Sequence, residues 1–400
     1  MVNELASMDR PSASDGERRA ADWIAARIRA YGLSATVEVE RAHGGYWWPL
    51  GLLNGAAALA GFAAVRARST GSGPGSRART RATRALAAAI GAGAAAAIWD
   101  DVGGGRLWFR RALLPHRDTF NVVAEAGERD APETVVVVAH HDAAHSGLVF
   151  HPAPTRLFAE RFPALIERSN QTLPIMYGTW LGPVLVALGS ILGRARLLRG
   201  GAVLAAASAA TMADIGSSDV VPGANDNLSA VAVVVALARS LAEQPLSGVR
   251  VLLLSTGSEE SFMEGMQGFI RRHRERLDPA TTTVLCLECL GSPDLVLVEA
   301  EGMLKMRPYP EISRRRLAEA ADAAGVELAR GLRTVAATDA LIALRRGYGA
   351  ATLASIDWTG FPSNYHWPSD TPENLDWGTI ERSFAVVDRF LALAGQRNCS

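Results

Sequence analysis

The 400-residue chain has no surplus of either charge: 41 Lys and Arg balance 41 Asp and Glu. Neutralising nucleic-acid phosphates requires a basic excess, so a nucleic-acid partner is not expected. Cysteine is scarce. Cys286, Cys289 and Cys399 are too few, and odd in number, for a disulfide scaffold. Cys286 and Cys289 share one apolar run, where an offset of three turns their side chains to opposite faces of a strand. Such a pair neither bridges nor ligates together. A secretory leader is also missing by composition, since Met1 to Asp22 is polar and charged and lacks an apolar h-region. There is no internal repeat, and nothing in the sequence bears on oligomeric state.

What is present is apolar residue in quantity, 48% of the chain. That supplies a sizeable core for one large domain with insertions, or for two domains. Ser14 to Tyr31 reads as an amphipathic helix, with Ala20, Ala21, Ile24 and Ile28 at helical spacing. Ser14 and Glu17 suggest a capping box, and Gly32 ends the helix. Ala35 to Glu40 alternates as a strand. Gly44 to Val65 then carries no charge and is long enough to span a bilayer. An arginine-rich loop follows, and Ala85 to Trp99 is again uncharged, so the two form a hydrophobic hairpin. Trp47, Trp48, Trp99 and Trp108 sit at its open end, where an aromatic belt would lie. Leu173 to Gly193 and Gly200 to Ala213 form a second hairpin around Arg194, Arg196 and Arg199, its last stretch marginal in length. Membrane attachment is expected, against the alternative of buried or dimer-forming helices. Basic loops on the cytoplasmic side of a plasma membrane would leave the rest of the chain extracytoplasmic.

The remainder alternates strands with helices: strands at Phe120–Glu125, Glu133–Ala139, Val249–Ser255, Thr283–Cys289 and Ala350–Ile356, helices at Asn227–Glu243, Glu311–Gly325 and Thr379–Ala394. This predicts a three-layer α/β/α sandwich on a mixed, mostly parallel sheet, with the two hydrophobic helical hairpins inserted. The expected divisions are 1–43, 100–145 and 216–400 for the α/β domain, 44–99 for the first hairpin and 146–215 for the second insertion.

Five segments place an acid or imidazole at a strand end, where open α/β sheets gather their sites. His140-His141-Asp142 follows a buried Val run and suits a metal ligand with a carboxylate to orient it. His141, His145 and His151 crowd the same loop and are read as local or substrate-side residues. Asn225-Asp226-Asn227 precedes a helix, so Asp226 is either an N-cap or a carboxylate shared by two cations. Glu259-Glu260 leaves an apolar strand and invites one ligand and one base, against the alternative of a solvated pair. Glu288 lies in the apolar run Leu285 to Leu290. An unpaired charge buried there costs several kcal/mol, on the order of enough to exclude it without a cation or partner. Tyr365-His366 is followed by Asp370 and Thr371, which can hold the His366 loop.

The ordered set H-x-D, N-D before a helix, E-E, E-C-x-G-S-P and Y-H-x-x-x-D-T-P-E resembles the zinc aminopeptidase Y/aminopeptidase S family of clan MH. The resemblance covers the chain outside the hydrophobic hairpins. It implies two zinc ions per chain: His140 and Glu288 binding one, Glu260 and His366 the other, and Asp226 bridging. It further implies that Asp142 braces His140, that Glu259 is the catalytic base, and that Tyr365 helps polarise the substrate carbonyl. A peptide is then the substrate, and release of its N-terminal residue the reaction. The same scaffold also serves glutaminyl cyclases with a single zinc, other amide hydrolases, and metal-free binding proteins. Two departures stand out: the Glu288 position is usually Asp, and the gap from His140 to Asp226 is unusually long because the second hairpin lies in it. A mixed His/carboxylate set suits zinc, with cobalt and manganese also compatible.

Overall fold

Every residue of the strand Thr134–His140 is buried, which places this Val run at the centre of a sheet covered on both faces. The computed structural model describes residues 1–69, 74–172, 176–329 and 331–399. Its strands are β1 Ala35–Ala42, β2 Arg117–Gly127, β3 Thr134–His140, β4 Arg250–Thr256, β5 Thr282–Glu288, β6 Asp294–Glu301, β7 Arg307–Pro308, β8 Gly331–Thr334 and β9 Gly349–Ile356. They form one sheet in the order β1-β2-β4-β3-β5-β9-β6-β7, with β8 also paired to β6. The central four, β4, β3, β5 and β9, run parallel, while β2 and β6 flank them antiparallel. The expected mixed sheet is therefore parallel where it matters for the site. Strands β6 and β8, and the helices Glu264–His273 and Asp339–Arg345, lie in stretches to which the sequence reading assigned no element.

Side chains alternate between two cores, as strand geometry requires. Val135, Val137, Val251, Leu253, Leu285 and Leu287 face a layer that includes Ile24, Val234 and Phe390. These belong to the helices Asp15–Ala30, Ser229–Glu243 and Trp377–Cys399. Val136, Val138, Leu252, Leu254, Val284 and Cys286 face the opposite layer, which includes Phe269 and Ile342 and also Leu50, Ala57 and Ile98 from the first hairpin. The base of that hairpin thus continues the domain core.

The four hairpin helices are Trp47–Ser69, Pro74–Val102, Tyr177–Leu192 and Ala195–Ser217. Three are longer than the apolar runs that signalled them. Arginine-rich stretches read as loops are partly helical, because Arg favours helix and its stem packs along the surface. The run expected from Leu173 begins at Tyr177 in the helix, and residues 173–175 lie outside the described residues. The four helices pack as a bundle around Ala64, Ala87, Val186, Leu198 and Ala202. Close approach depends on glycine: a Cβ on Gly182 would meet the Ala205 nitrogen at 2.7 Å, and one on Gly201 the Val186 nitrogen at 2.6 Å. Small-residue packing of this kind suits helices without a hydrophobic driving force between them. Arg84 donates to the Ser190 carbonyl and Arg68 to that of Gly193, so the helix ends of the first hairpin meet the turn of the second at the far end of the bundle.

Ser14 caps its helix by accepting from the Glu17 amide at 3.1 Å. Glu17 does not complete the capping box. Its carboxylate turns inward and accepts from the amides of Ala13, Phe120 and Ser258, which ties the first helix to the loop after β4.

Candidate metal centre

Because β3, β4, β5 and β9 are parallel, His140, the Glu259-Glu260 loop, Glu288 and the Tyr365-His366 loop emerge at one edge of the sheet. His140 ends β3 opposite Thr256 of β4, and Glu288 ends β5 opposite Ala354 of β9. Asp226 is brought to the same edge by the distorted turn Ala224–Leu228. Two sets of donors converge there: His140, Asp226 and Glu288, and Asp226, Glu260 and His366. His140 Nε2 lies 3.2 Å from Asp226 Oδ1 and 3.4 Å from Glu288 Oε1. His366 Nε2 lies 3.2 Å from Asp226 Oδ2 and 3.2 Å from Glu260 Oε1.

These spacings fit a metal centre. Zinc–ligand bonds of about 2.0–2.1 Å at tetrahedral angles separate donor atoms by roughly 3.3 Å. Each imidazole nitrogen also faces two carboxylate oxygens, more acceptors than one N–H can serve. Charge argues the same way. Burial drives the Glu259, Glu260 and Glu288 carboxyls above their ordinary range. Asp226 is pushed up by burial too, but hydrogen bonds to both imidazoles hold it below that range. So many buried acids beside two imidazoles call for cations.

The shell around these groups is built from the same motifs. Asp142 Oδ1 lies 3.4 Å from His140 Nδ1. It also accepts from the amides of Glu259 at 3.0 Å and Glu260 at 3.1 Å, and from the Ser12 hydroxyl at 2.6 Å. Asp370, expected to hold the His366 loop, donates its amide to the Trp367 carbonyl at 2.8 Å, and its carboxylate reaches across to the amides of Asn225 at 2.6 Å and Asp226 at 3.1 Å; burial raises its carboxyl to about 7. Asn225 accepts from the Gly291 amide and Asn227 from that of Cys289, so the two asparagines fasten Asp226 to the end of β5. Tyr365 stacks on His366 with centroids 3.9 Å apart.

His141 does not face this site. It is buried against the Ser255 hydroxyl at 3.0 Å, and burial pulls its imidazole down to about 3. His145 meets the Ser218 carbonyl and the Trp47 ring, while His151 accepts from the Ala153 amide at the start of a helix. Two residues near the site carried no sequence signal. Fully buried Arg10 donates to the carbonyls of His141 and Gly223, bridging the loops that hold His140 and Asp226. Phe150 packs edge-on against His366 at 4.5 Å.

Residues 208–391 match the model of peptidase family M28. That segment is therefore similar to peptidase family M28. It contains every candidate residue from Asp226 onward and begins after His140 and Asp142. The fold is similar to that of a Zn-dependent exopeptidase from Parabacteroides distasonis, with 12% identity, 99% of this chain and 96% of that one covered, and a TM-score of 0.54. An aminopeptidase from Aneurinibacillus sp. strain AM-1 gives 12% identity, 98% and 92% coverage and 0.53. A glutaminyl cyclase from Bacteroides thetaiotaomicron gives 12%, 98%, 94% and 0.53. No curated protein matches the chain in sequence.

Proposed function

We propose that the chain is a membrane-attached aminopeptidase with two zinc ions, the M28 domain supplying the metal centre and the hairpins the attachment. The observation that carries the metal reading is Asp226, whose two oxygens each lie 3.2 Å from a different imidazole. His140 and Glu288 would hold one zinc, and Glu260 and His366 the other, with Asp226 available to both. The longer arm of Glu288 is accommodated, since its Oε1 reaches the His140 donor. Bound zinc supplies Lewis acidity, which polarises a carbonyl oxygen and acidifies water. Glu259 lines the same cavity, with an oxygen within 4.8 Å of a His140 nitrogen and a Glu260 oxygen. It takes the water proton and passes it to the departing nitrogen. The water oxygen bonds to the carbonyl carbon, the C–N bond breaks, and an amino acid and a shortened peptide leave. Tyr365, also on the cavity wall, faces the substrate carbonyl.

The peptidase domain is assembled from 1–43, 100–145 and 216–400, with 44–99 and 146–215 as insertions. Helices Trp47–Arg68 and Gly75–Val102 are long and apolar enough to cross a membrane. Leu52, Leu59, Phe62, Leu86, Ile191 and Val203 point outward from the bundle, a surface that suits lipid. The test is hydrolysis of aminoacyl anilides by the detergent-purified chain, before and after chelation and zinc return. Chelator-sensitive release, restored by zinc and absent from N-acetylated substrates, is expected. Cleavage of acetylated substrates would move the reading to another amidase, and cyclisation of glutaminyl peptides with one zinc bound to a cyclase.

A further inference from the structure

The metal-centre residues form the floor of a cavity of about 340 Å³, in the size range of sites that enclose a whole small ligand. Asp226, Glu259, Glu260, Glu288 and His366 are the charged or imidazole groups on its lining among the described residues. Above that floor the walls are apolar or hydroxylic. One wall is the helix Ala195–Ser217, through Leu204, Ala207, Ser208, Thr211, Met212 and Ile215. These positions recur every three or four residues and so form one stripe. The stripe starts at Ile215, beside Glu260 of the metal centre, and climbs to Leu204 in the bundle, roughly 16 Å at about 1.5 Å per residue. Met176 and Thr179 at the start of the neighbouring helix, and Met303, Leu332 and Val335 from the sheet side, line the other walls. Ala207 is on the cavity lining and also exposed, while Leu204 and Thr211 are half-buried. The opening therefore includes the flank of the bundle.

We infer that the insertion 146–215 makes this a receptacle for an amino-terminal residue with a long apolar side chain, laid along the Leu204–Ile215 stripe. The inference rests on the aminopeptidase reading, and it assigns the second hairpin a role in selecting substrate as well as in attachment. A side chain ending in a charge finds no partner on the upper walls and is penalised there. Methionines at 176, 212 and 303 give walls that adjust to chains of different length.

The experiment uses the full chain in lipid nanodiscs with alanyl, leucyl, 2-aminodecanoyl and lysyl anilides. The expected kcat/KM rises about fourfold per added methylene, the factor for burying one, and the lysyl substrate falls below the leucyl. Leu204→Trp fills the upper end and lowers the 2-aminodecanoyl-to-alanyl ratio about tenfold or more. Ala207→Leu, at an exposed position that tolerates added bulk, lowers it in the same direction. A flat series with chelator-sensitive alanyl turnover intact overturns this inference and leaves the peptidase reading standing. So does a ratio unmoved by both variants. If wild type hydrolyses none of the four, the peptidase reading fails, and calorimetric binding of 2-aminodecanoate against alanine decides the cavity alone. Tighter binding of the long chain supports it; equal binding overturns it.

Discussion

Glu259 and Glu260 are neighbours in sequence with divergent duties, and Asp142 keeps them apart by accepting one backbone amide on each carboxylate oxygen. Glu260 pairs with His366, whereas Glu259 faces the open cavity. Glu259→Gln is accordingly expected to lower kcat by about 10²–10⁴, the usual worth of a general base, with zinc content unchanged. Near wild-type turnover would remove the base assignment. Asp370 offers a subtler test, because it touches no ligand side chain and instead fixes the Asn225 and Asp226 amides. Asp370→Asn replaces one acceptor with a donor facing an N–H. Zinc affinity should weaken by about 10–100-fold, as for other partners that orient ligands, measured by competition with a chromophoric chelator. Unchanged affinity would mean that Asp226 is held well enough by Asn225 and Asn227. The ligand candidates were legible in the sequence because acids are rare at the ends of apolar strands. Arg10 and Phe150 were not, since a charged residue before a proline and a Phe in a loop resemble ordinary surface. Asp370 was legible as a residue of the His366 loop that could hold it, but the partners of its carboxylate were not, since the Asp226 amide lies 144 positions away.

Among elements, the buried Arg110 links the first hairpin to the loop that carries Glu259 and Glu260. It pairs with Asp101 at the end of the helix Pro74–Val102, donates to the Ser261 carbonyl, and lies 3.6 Å from Glu264. His43, just before the hairpin, donates its amide to the same Glu264 at 2.8 Å. Arg110→Ala strands Asp101 in the core and should cost about 3–5 kcal/mol, read as a lowered denaturation midpoint. Arg110→Met with Asp101→Leu removes both charges and should recover much of that loss; no recovery would show the Ser261 contact to dominate. Within the bundle, adjacent glycines give opposite expectations. A Cβ on Gly200 meets nothing within 4 Å, but one on Gly201 runs into the Val186 backbone. Gly200→Ala should stabilise by up to about 1 kcal/mol, while Gly201→Ala forces the helices apart and lowers Tm. The buried strands could be found from Val and Leu runs, and the hairpins from their lack of charge. Strands β6 and β8 escaped because Asp294–Glu301 is acidic at both ends and half of Gly331–Thr334 is polar. The arginine-rich helix ends escaped because their apolar faces are interrupted by charge.

The whole molecule is polarised along the bundle axis. At the peptidase end Trp48, Trp99 and Trp108 are exposed; at the far end Arg68 and Arg84 of the first hairpin meet the Ser190 to Gly193 end of the second. The helix from Trp48 to Arg68 spans roughly 30 Å, the thickness of a bilayer's hydrocarbon core. If the bundle spans a membrane as proposed, tryptophan at one interface and arginine beyond the other would put the basic ends in the cytoplasm and the peptidase outside. In that orientation the cavity beside Leu204–Ile215 would open toward the outer half of the membrane, which would connect attachment to the kind of substrate that arrives. Orientation can be read with single cysteines in a background carrying Cys399→Ser, where the two remaining native cysteines are buried. Gln244→Cys, exposed on the peptidase domain, should react with a membrane-impermeant maleimide on intact cells. Ala82→Cys, exposed near the basic turns, should react only after permeabilisation. The reverse pattern would put the metal centre in the cytoplasm and make the substrates cytoplasmic peptides. Labelling of both sites in membrane-free fractions would mean that the bundle packs against protein rather than lipid, and that its apolar flank is an assembly surface.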